Sequence, residues 1–358
     1  MKKNVAVIGF YQSYPRNRVL LEALKTQFTV SATDIPKGRR FKNITALSAL
    51  AGQLRLADAV LFVWPAQLFL PSMAVLKLLF RKKIVFDAFV SLYDSTVFDR
   101  KIVHKTQLKA FYYYMLDYLC CRCADILIFD TGENARYFFQ AFKLRPHKKK
   151  LVLQPSVDLN ILDAVDPADN YVPGTAEKIR VLFYGSFIPL HGIQYIIKAA
   201  HLLQNTPAIH FIMIGSGQTR SEMLTLSQKL MLRNITFIDS VEYTELIAYI
   251  KQAHLCLGIF GDTEKARRVI PNKVIECMGC CKPVITGRNL ELEHFFSDGE
   301  EIIFCNMADE HDLADKINYC AGHFPEMNRL GTKAREKVAA RFSTRNLAEQ
   351  VQELERML

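Results

Sequence analysis

The sequence contains no hydrophobic run that is well suited to spanning a membrane. Its longest uncharged run covers residues 59–76, and Pro65 and Pro71 divide that run into the end of a strand and the start of a helix. No secretory signal opens the chain, because Lys2 and Lys3 precede only a short apolar run, residues 5–9. We therefore expect no transmembrane helix and a cytoplasmic location.

The sequence also lacks the short motifs that mark several enzyme classes. It has no Gly-x-Ser-x-Gly, no Walker loop and no Gly-x-Gly-x-x-Gly after a strand. No Asp-x-Asp pair is present, so an anchor of that type for a divalent metal is missing. No tract of low complexity and no repeat of solenoid period occurs. We expect neither a metal site nor a cofactor.

The nine cysteines do not form a disulfide or zinc pattern. Their number is odd, and the two Cys-x-x-Cys spacings, at Cys120/Cys123 and Cys277/Cys280, lack histidine partners at zinc-like spacing. The pattern favours a reducing compartment and thiols that act as small buried apolar groups.

Charge is distributed unevenly along the 358 residues. Residues 1–155 hold 25 Lys and Arg against 10 Asp and Glu, a net charge of +15, whereas the remainder carries −5. This asymmetry predicts different partners for the two halves. One alternative is a basic nucleic-acid-binding protein. The lysines are spread over many elements without a recognised binding motif, so we expect no nucleic-acid partner.

Apolar runs that alternate with helical patterns predict an α/β protein with two doubly wound parallel sheets. In the first half, strands are expected at residues 5–9, 59–64, 83–89, 126–129 and 151–153. The sequence predicts a first domain over residues 1–155, a hinge over 156–177 and a second domain over 178–343. A final helix, 344–358, is expected to cross back to the first domain.

The stretch from Gly258 to Gly287 is the strongest candidate for a site. A strand over residues 255–260 leads into a loop with Arg267 and Arg268, and Pro271 and Asn272 then provide a helix start. Free N–H groups at a helix start, together with nearby cations, suit a diphosphate. Lys273 and Glu276 share one helix face, which places a cation for phosphate beside a carboxylate for ribose hydroxyls. The alternative is a solvated charge cluster on a surface helix.

Residues 271–285, PNKVIECMGCCKPVI, resemble the donor-site helix of the retaining glycosyltransferases of family 4, often written P-x-K-x-x-E-x-x-A-x-G-K-P-V-I. The resemblance implies a GT-B fold, in which two Rossmann-like domains face a central cleft. The sequence departs from the family pattern at two positions. Arg268 stands where a second glutamate is common, with Asp262 and Glu264 as the candidates to replace it, and Cys281 stands where glycine is usual.

The loop after the predicted strand 179–184 resembles the family's phosphate-wrapping loop. Ser186 replaces a frequent arginine and His191 a usual lysine, so His191 is expected to donate a hydrogen bond to the leaving group; the alternative is an ordinary loop histidine. The resemblance implies that the donor contacts this loop, the turn after the strand 210–215 and the backbone near Val241. The implied donor-contacting residues in these segments are Gly185, Ser186, Phe187, Gly192, Gly215 and Val241.

Polar residues in the first half follow predicted strands, where ligands of open α/β sheets bind. Asp87 stands at about the place of a family histidine, and the resemblance implies that it contacts the sugar. The other candidates for acceptor or cleft contacts are Arg16, Arg18, Ser91, Asp94, Arg100, Asp130 and Thr131. For the two arginines the alternative is an exposed turn.

Residues 108–123 predict an aromatic-rich helix flanked by lysines, which packs in the core or touches a membrane. Basic runs at 37–42 and 148–150 add to the charge of this half, so an anionic membrane surface at the inner face of the cell membrane is a candidate partner. The resemblance implies transfer of a sugar from a nucleoside diphosphate sugar to a glycan or lipid-linked acceptor. The alternatives are a GT-B epimerase or phosphorylase, and a subunit that keeps the fold without activity.

Overall fold

The computed structural model describes residues 2–10, 14–35, 56–166, 178–206 and 208–358. The chain divides into two compact units, one formed by Met1–Ser156 with Thr344–Leu358 and the other by Val157–Ser343. We call them unit 1 and unit 2. The basic run at 37–42 and residues 167–177 of the expected hinge lie outside the described residues.

Unit 1 is built on a parallel sheet. Its strands in the described residues are β1 (Asn4–Gly9), β2 (Thr29–Asp34), β3 (Ala59–Phe62), β4 (Lys83–Asp87), β5 (Ile126–Phe129) and β6 (Lys149–Val152). They lie in the order β2-β1-β3-β4-β5-β6. Every residue of β3 and β5 is buried, because helices cover both faces of a parallel sheet. The connection reverses direction between β1 and β3, which is where ligands of such sheets bind.

Helices of unit 1 connect these strands. They are α1 (Pro15–Gln27), α2 (Leu70–Leu78), α3 (Leu108–Cys123) and α4 (Gly132–Ala141). A turn of 3-10 helix (Ala66–Phe69) precedes α2, and a π-helical turn (Asp94–Asp99) precedes α3. Helix α3 has the bounds that the sequence predicts.

Unit 2 repeats this design. Its strands are β7 (Ile179–Tyr184), β8 (Ile209–Ile214), β9 (Ile235–Ile238), β10 (Leu255–Leu257), β11 (Val284–Gly287) and β12 (Ile303–Cys305). They form a parallel sheet in the order β12-β11-β10-β7-β8-β9. Direction reverses between β7 and β10, so the loops after these two strands lie next to each other.

Eight α-helices and two 3-10 turns of unit 2 lie in the part of the chain that the structure describes. The α-helices are α5 (Leu159–Ala164), α6 (Ile193–Leu202), α7 (Arg220–Lys229), α8 (Tyr243–Gln252), α9 (Asn272–Gly279), α10 (Leu290–Glu293), α11 (Glu310–Gly322) and α12 (Phe324–Arg341), and the 3-10 turns are Pro189–His191 and Ala266–Arg268. Helix α5 lies within the expected hinge. Its Leu162 is fully buried in the core of unit 2, so this part of the segment is packed structure.

The last helix, α13 (Thr344–Met357), belongs to unit 1. Leu347, Val351 and Leu354 recur at helical spacing and are buried against α1 and the sheet. The exposed residues of this helix, Arg345, Glu349, Gln352 and Arg356, are all polar. Among the described helices, none has the length and apolar character that crossing a membrane requires.

The two Rossmann-like α/β units confirm the predicted fold class. Strands β2 and β12 were not predicted. Strand β2 (TVSATD) lies at an edge of the sheet and contains small and polar residues. Because it is less buried than the central strands, it has no continuous apolar run by which it could be predicted.

Candidate functional site

Two glycine loops meet at the carboxyl end of the unit 2 sheet. Gly185, after β7, and Gly215, after β8, have φ values of 138° and 132°, in the region that favours glycine. A Cβ on Gly215 would lie 2.1 Å from the carbonyl oxygen of Gly185. These positions therefore require glycine, and the backbones of the two loops are in direct contact.

A pocket of about 230 Å3 opens beside these loops. Its walls combine backbone, small polar side chains and apolar side chains. They are formed by Tyr184, Gly185, Ser186, Ile214, Gly215, Ser216, Ser240, Val241 and Leu246. The hydroxyl oxygens of Ser216 and Ser240 are 3.1 Å apart, which joins the turns after β8 and β9. Four of the predicted donor residues, Gly185, Ser186, Gly215 and Val241, thus line one pocket.

Lys273 lies in the first turn of α9 and is 7% exposed. Its Nζ is 3.9 Å from the centroid of the Phe183 ring and has no hydrogen-bond partner among the described residues. A Cβ on Gly185 would lie 2.9 Å from this Nζ, so the amine lies against the glycine loop. Burial lowers the pKa of the amine from 10.5 to about 7, against the opposing effect of Cys277 and Glu276. A buried cation without a hydrogen bond is costly, and an anion at the loop would stabilise it.

Glu276 follows one turn later and is held by two tyrosines. The Tyr184 hydroxyl donates to Oε2 at 2.5 Å, and the Tyr243 hydroxyl donates to Oε1 at 3.3 Å. Burial raises the pKa of the Glu276 carboxyl, and the two hydrogen bonds and the Lys273 charge partly offset that rise. The carboxylate is thereby fixed next to the pocket that Tyr184 lines.

His191 lies on a 3-10 turn (Pro189–His191), and a Cβ on Gly185 would lie 3.2 Å from its Cε1. Its Nδ1 is hydrogen-bonded to the carbonyl oxygen of Ser186, which can only accept, so Nδ1 carries a proton. In this tautomer Nε2 is an acceptor, and it can donate to a phosphate only in the doubly protonated ring. Gly192, with φ 62°, packs on the backbone of Phe260, which holds this turn against the loop after β10.

The remaining predicted donor residues differ in exposure. Phe187 is fully buried among apolar side chains, and its backbone N–H donates to Ser216 O, so its side chain does not face the pocket. Arg268 is 9% exposed, on a turn whose carbonyls accept from Asn289. Arg267 is exposed and pairs with Asp262 at 2.8 Å.

The start of α9 differs from the sequence interpretation. Asn272 is the first helical residue and is exposed, Pro271 occupies the N-cap position, and no side chain caps the helix. Asn272 is therefore not a cap. At the other end Cys281 adopts φ 57°, a conformation that favours glycine, which explains why glycine is usual at this position in the family pattern.

In unit 1 a charged cluster lies at the carboxyl ends of the central strands. An Arg16 guanidinium nitrogen is 3.3 Å from Oδ1 of Asp87, and its guanidinium carbon is 4.3 Å from the centroid of the Phe89 ring. Burial raises the pKa of Asp87 and that of Asp130, and the charge of Arg16 opposes both shifts. Arg16 Nε is buried without a hydrogen-bond partner among the described residues. The structure thus brings Arg16, Asp87 and Asp130 together.

Other predicted residues of unit 1 lie apart from this cluster or have structural partners. Ser91 Oγ donates to Asp117 of α3 at 2.7 Å, and it accepts from the backbone N–H of Asp94, which is buried. Thr131 is the N-cap of α4 and accepts from the Asn134 N–H. Arg18 and Arg100 are exposed.

Sequence motifs do not predict Tyr184, Tyr243 or Phe183, which contact Glu276 and Lys273. Tyr184 ends a predicted strand directly before a predicted glycine loop, a position that could have revealed it. Tyr243 gives no such signal, because its distance from Glu276 depends on how α8 packs beside α9.

The chain matches the model of a protein family described as glycosyl transferase-like over residues 194–353. This range covers most of unit 2, including Glu276 and Lys273. A search of curated proteins finds no significant match.

Solved structures share the fold over almost the full length of both chains. HepE of Anabaena in complex with UDP-glucose has a TM-score of 0.74 at 16% identity, covering 100% of each chain. Sucrose-phosphate synthase of Thermosynechococcus elongatus has a TM-score of 0.74 at 17% identity, covering 99% of this chain and 98% of the other. A UDP-forming trehalose-phosphate synthase of Burkholderia xenovorans has a TM-score of 0.71 at 11% identity, covering 99% of each. The fold is therefore GT-B, and the family model supports a glycosyltransferase class.

Proposed function

We propose that this chain is a retaining glycosyltransferase that moves a sugar from a nucleoside diphosphate sugar to a hydroxyl group of a glycan or lipid-linked acceptor. The observation that carries the proposal is Lys273. Its amine is buried beside the glycine loop of unit 2 and has no hydrogen-bond partner in the part of the chain that the structure describes, and a diphosphate there would supply an anionic partner. Glu276, one turn away, would accept hydrogen bonds from the ribose hydroxyls.

The chemistry follows from this arrangement. The bond between the anomeric carbon and the diphosphate oxygen breaks, and negative charge develops on the diphosphate. Lys273 and the backbone N–H groups at the start of α9 stabilise that charge. The acceptor oxygen bonds to the anomeric carbon on the face that the diphosphate leaves, and its proton passes to a phosphate oxygen. The configuration is retained, and no protein nucleophile is needed.

Uridine is the first base to test. HepE was crystallised with UDP and with UDP-glucose, and it shares the fold of this chain. The pocket lined by Tyr184 and Val241 is the place for the base and ribose. In unit 1, Arg16 with Asp87 and Asp130 is the candidate for contact with the transferred sugar or the acceptor.

The test is turnover of nucleotide sugars by the purified chain and by Lys273→Ala. We expect release of the nucleoside diphosphate from at least one donor, and a loss of about 2–4 kcal/mol of transition-state stabilisation in the variant, or about 30- to 1,000-fold in kcat/KM. Lys229→Ala, at an exposed lysine of α7, is the matched control. Unchanged kcat/KM in Lys273→Ala would refute the role of this residue. If none of UDP, GDP, ADP, CMP and dTDP raises the unfolding temperature of the chain, the donor site is refuted.

A further inference from the structure

Helix α3 of unit 1 is apolar on the face that points away from the protein. Its inward face carries Ala110, Asp117, Cys120 and Cys121, all buried. Its opposite face, which we call the outer stripe, follows the helical spacing of three to four residues. It consists of Leu108, Phe111, Tyr112, Met115 and Leu119. Surface helices of globular domains normally place polar residues there, so the pattern is unusual.

Exposure of the outer stripe is high. Leu108 is 88% exposed, Phe111 63%, Tyr112 57% and Leu119 40%. The preceding segment adds two more exposed apolar side chains, Ile102 and Phe98. Single exposed apolar residues are common on proteins, whereas a contiguous row along a four-turn helix marks an interaction surface.

Basic side chains flank this surface along the chain, and residues 98–122 carry no exposed acidic side chain. Arg100, Lys101, Lys105 and Lys109 are exposed before and at the start of α3, and Arg122 is exposed at its end. Between residues 98 and 122 the carboxylates are those of Asp99 and Asp117, and both are buried. Exposed charge in this segment is therefore of one sign.

This charge decides between two occupants of the surface. In a symmetric dimer the surface would face its own copy, and the lysines of one copy would oppose those of the other. An anionic bilayer offers a complementary charge at the headgroups and an apolar interior for the outer stripe. A helix of this length, about 24 Å, can lie flat in the interface.

We propose that unit 1 docks on an anionic membrane surface, with the outer stripe of α3 inserted among the lipids and Lys101, Lys105 and Lys109 at the headgroups. Asp117, on the inward face of α3, accepts hydrogen bonds from the Leu92 and Tyr93 N–H groups. These residues follow β4, the strand that ends in Asp87. Hydrogen bonds therefore connect the docked helix to the segment after β4, at the carboxyl end of the sheet where the Arg16 and Asp87 cluster lies. Delivery of a lipid-linked acceptor to that edge rests on the proposed function, whereas docking does not.

Co-sedimentation of the full chain with vesicles tests the proposal. One set of vesicles contains phosphatidylcholine alone, and the other contains equal parts of phosphatidylcholine and phosphatidylglycerol. The double variant Leu108→Ser/Phe111→Ser removes apolar area without changing charge. The control variant Leu202→Ser/Met231→Ser does the same at two exposed sites of unit 2. Thermal unfolding of each variant confirms that it is folded.

We expect the chain to bind the anionic vesicles and not the neutral ones. The α3 variant should bind about tenfold more weakly or worse, and the control should bind as the unchanged chain does. No binding to anionic vesicles, or equal binding by the α3 variant, would overturn the proposal. The proposal would also be overturned if the unchanged chain forms a dimer and does not bind vesicles while the α3 variant is a monomer, because the outer stripe would then be a dimer interface.

Nucleotide binding is measured on the same preparations. Vesicle binding without any nucleotide binding would support docking and contradict the proposed function. Nucleotide binding without vesicle binding would do the reverse.

Discussion

The hydroxyl of Tyr184 donates a hydrogen bond of 2.5 Å to the carboxylate of Glu276, which joins the last residue of β7 to helix α9. Burial raises the pKa of Tyr184 well above its usual value, so the phenol keeps its proton and remains a donor. The bond fixes the carboxylate beside Tyr184, which lines the pocket, and favours its charged form.

Tyr184→Phe should weaken donor binding and shift its pH dependence. The Tyr184 hydrogen bond lowers the pKa of Glu276 against the larger effect of burial, so its loss raises that pKa further. If the ionised carboxylate binds ribose, kcat/KM falls as pH decreases through this pKa, and the acid limb should move to higher pH in the variant. We expect a loss of about 1–3 kcal/mol in donor binding at neutral pH.

Tyr249→Phe is the matched control, because Tyr249 is another tyrosine of unit 2 and lies on α8. The measurement is the profile of kcat/KM against pH for both variants. If the acid limb of the profile does not move in Tyr184→Phe, the Tyr184 hydrogen bond does not affect the pKa of Glu276, and the prediction is contradicted.

Donor binding should be coupled to proton uptake by Lys273. Burial lowers the pKa of its amine to about 7, and a bound diphosphate raises it again, because an opposite charge favours the ammonium form. At about pH 8, where the free amine is mostly neutral and the phosphates are ionised, binding of UDP should take up a fraction of a proton. Calorimetry in buffers of different ionisation enthalpy measures this uptake.

Lys273→Arg provides the comparison, because an arginine stays charged in both states and leaves no proton to take up. Equal uptake in the two proteins would assign the proton to another group.

The same shift predicts how the stability of the free protein depends on pH. Between about pH 7 and the usual lysine pKa of 10.5, the unfolded chain holds a proton that the buried amine lacks. The contribution of Lys273 to the free energy of unfolding therefore rises with pH in this window. Lys273→Met, which buries no amine, should lose this part of the dependence in thermal unfolding curves measured across the window.

Turnover should not require a divalent metal. The proposal rests on the sequence, which has no Asp-x-Asp pair, and on the charge that Lys273 and the start of α9 offer to the diphosphate. We expect equal initial rates with EDTA and with added Mg²⁺ or Mn²⁺. Activity that EDTA abolishes and Mn²⁺ restores would show that a metal carries this charge.

Asp117→Ala should destabilise unit 1. The buried carboxylate accepts hydrogen bonds from four donors. One is Gln67 Nε2 on the 3-10 turn before α2, and the others are Ser91 Oγ and the Leu92 and Tyr93 N–H groups after β4. The variant leaves these donors buried without their acceptor, at a cost of about 3 kcal/mol or more. A lowered thermal unfolding midpoint checks this expectation, with Asp315→Ala at an exposed site as the control. Equal midpoints would contradict it.

Apolar runs and glycine positions determined much of the fold in advance. Strands β3 and β5 were predictable because both faces of a parallel sheet are buried and every residue is apolar. Edge strand β2 was not, because its small and polar residues give no such run. The glycine loop at Gly185 was predictable from its place after a strand, since ligands bind where strands end.

For the candidate site, the sequence by itself placed Lys273 and Glu276 on one helix face, because helical spacing is a local property. It could not distinguish a solvated charge cluster from a buried amine over the Phe183 ring. That distinction depends on strand order, which brings β7 beside β10 and so sets Phe183 and Tyr184 against α9. The sequence also could not show which face of α3 forms the outer stripe. The helix carries apolar side chains on both its inward and its outward face, and only its packing against the sheet determines which of them are buried and which remain in solvent.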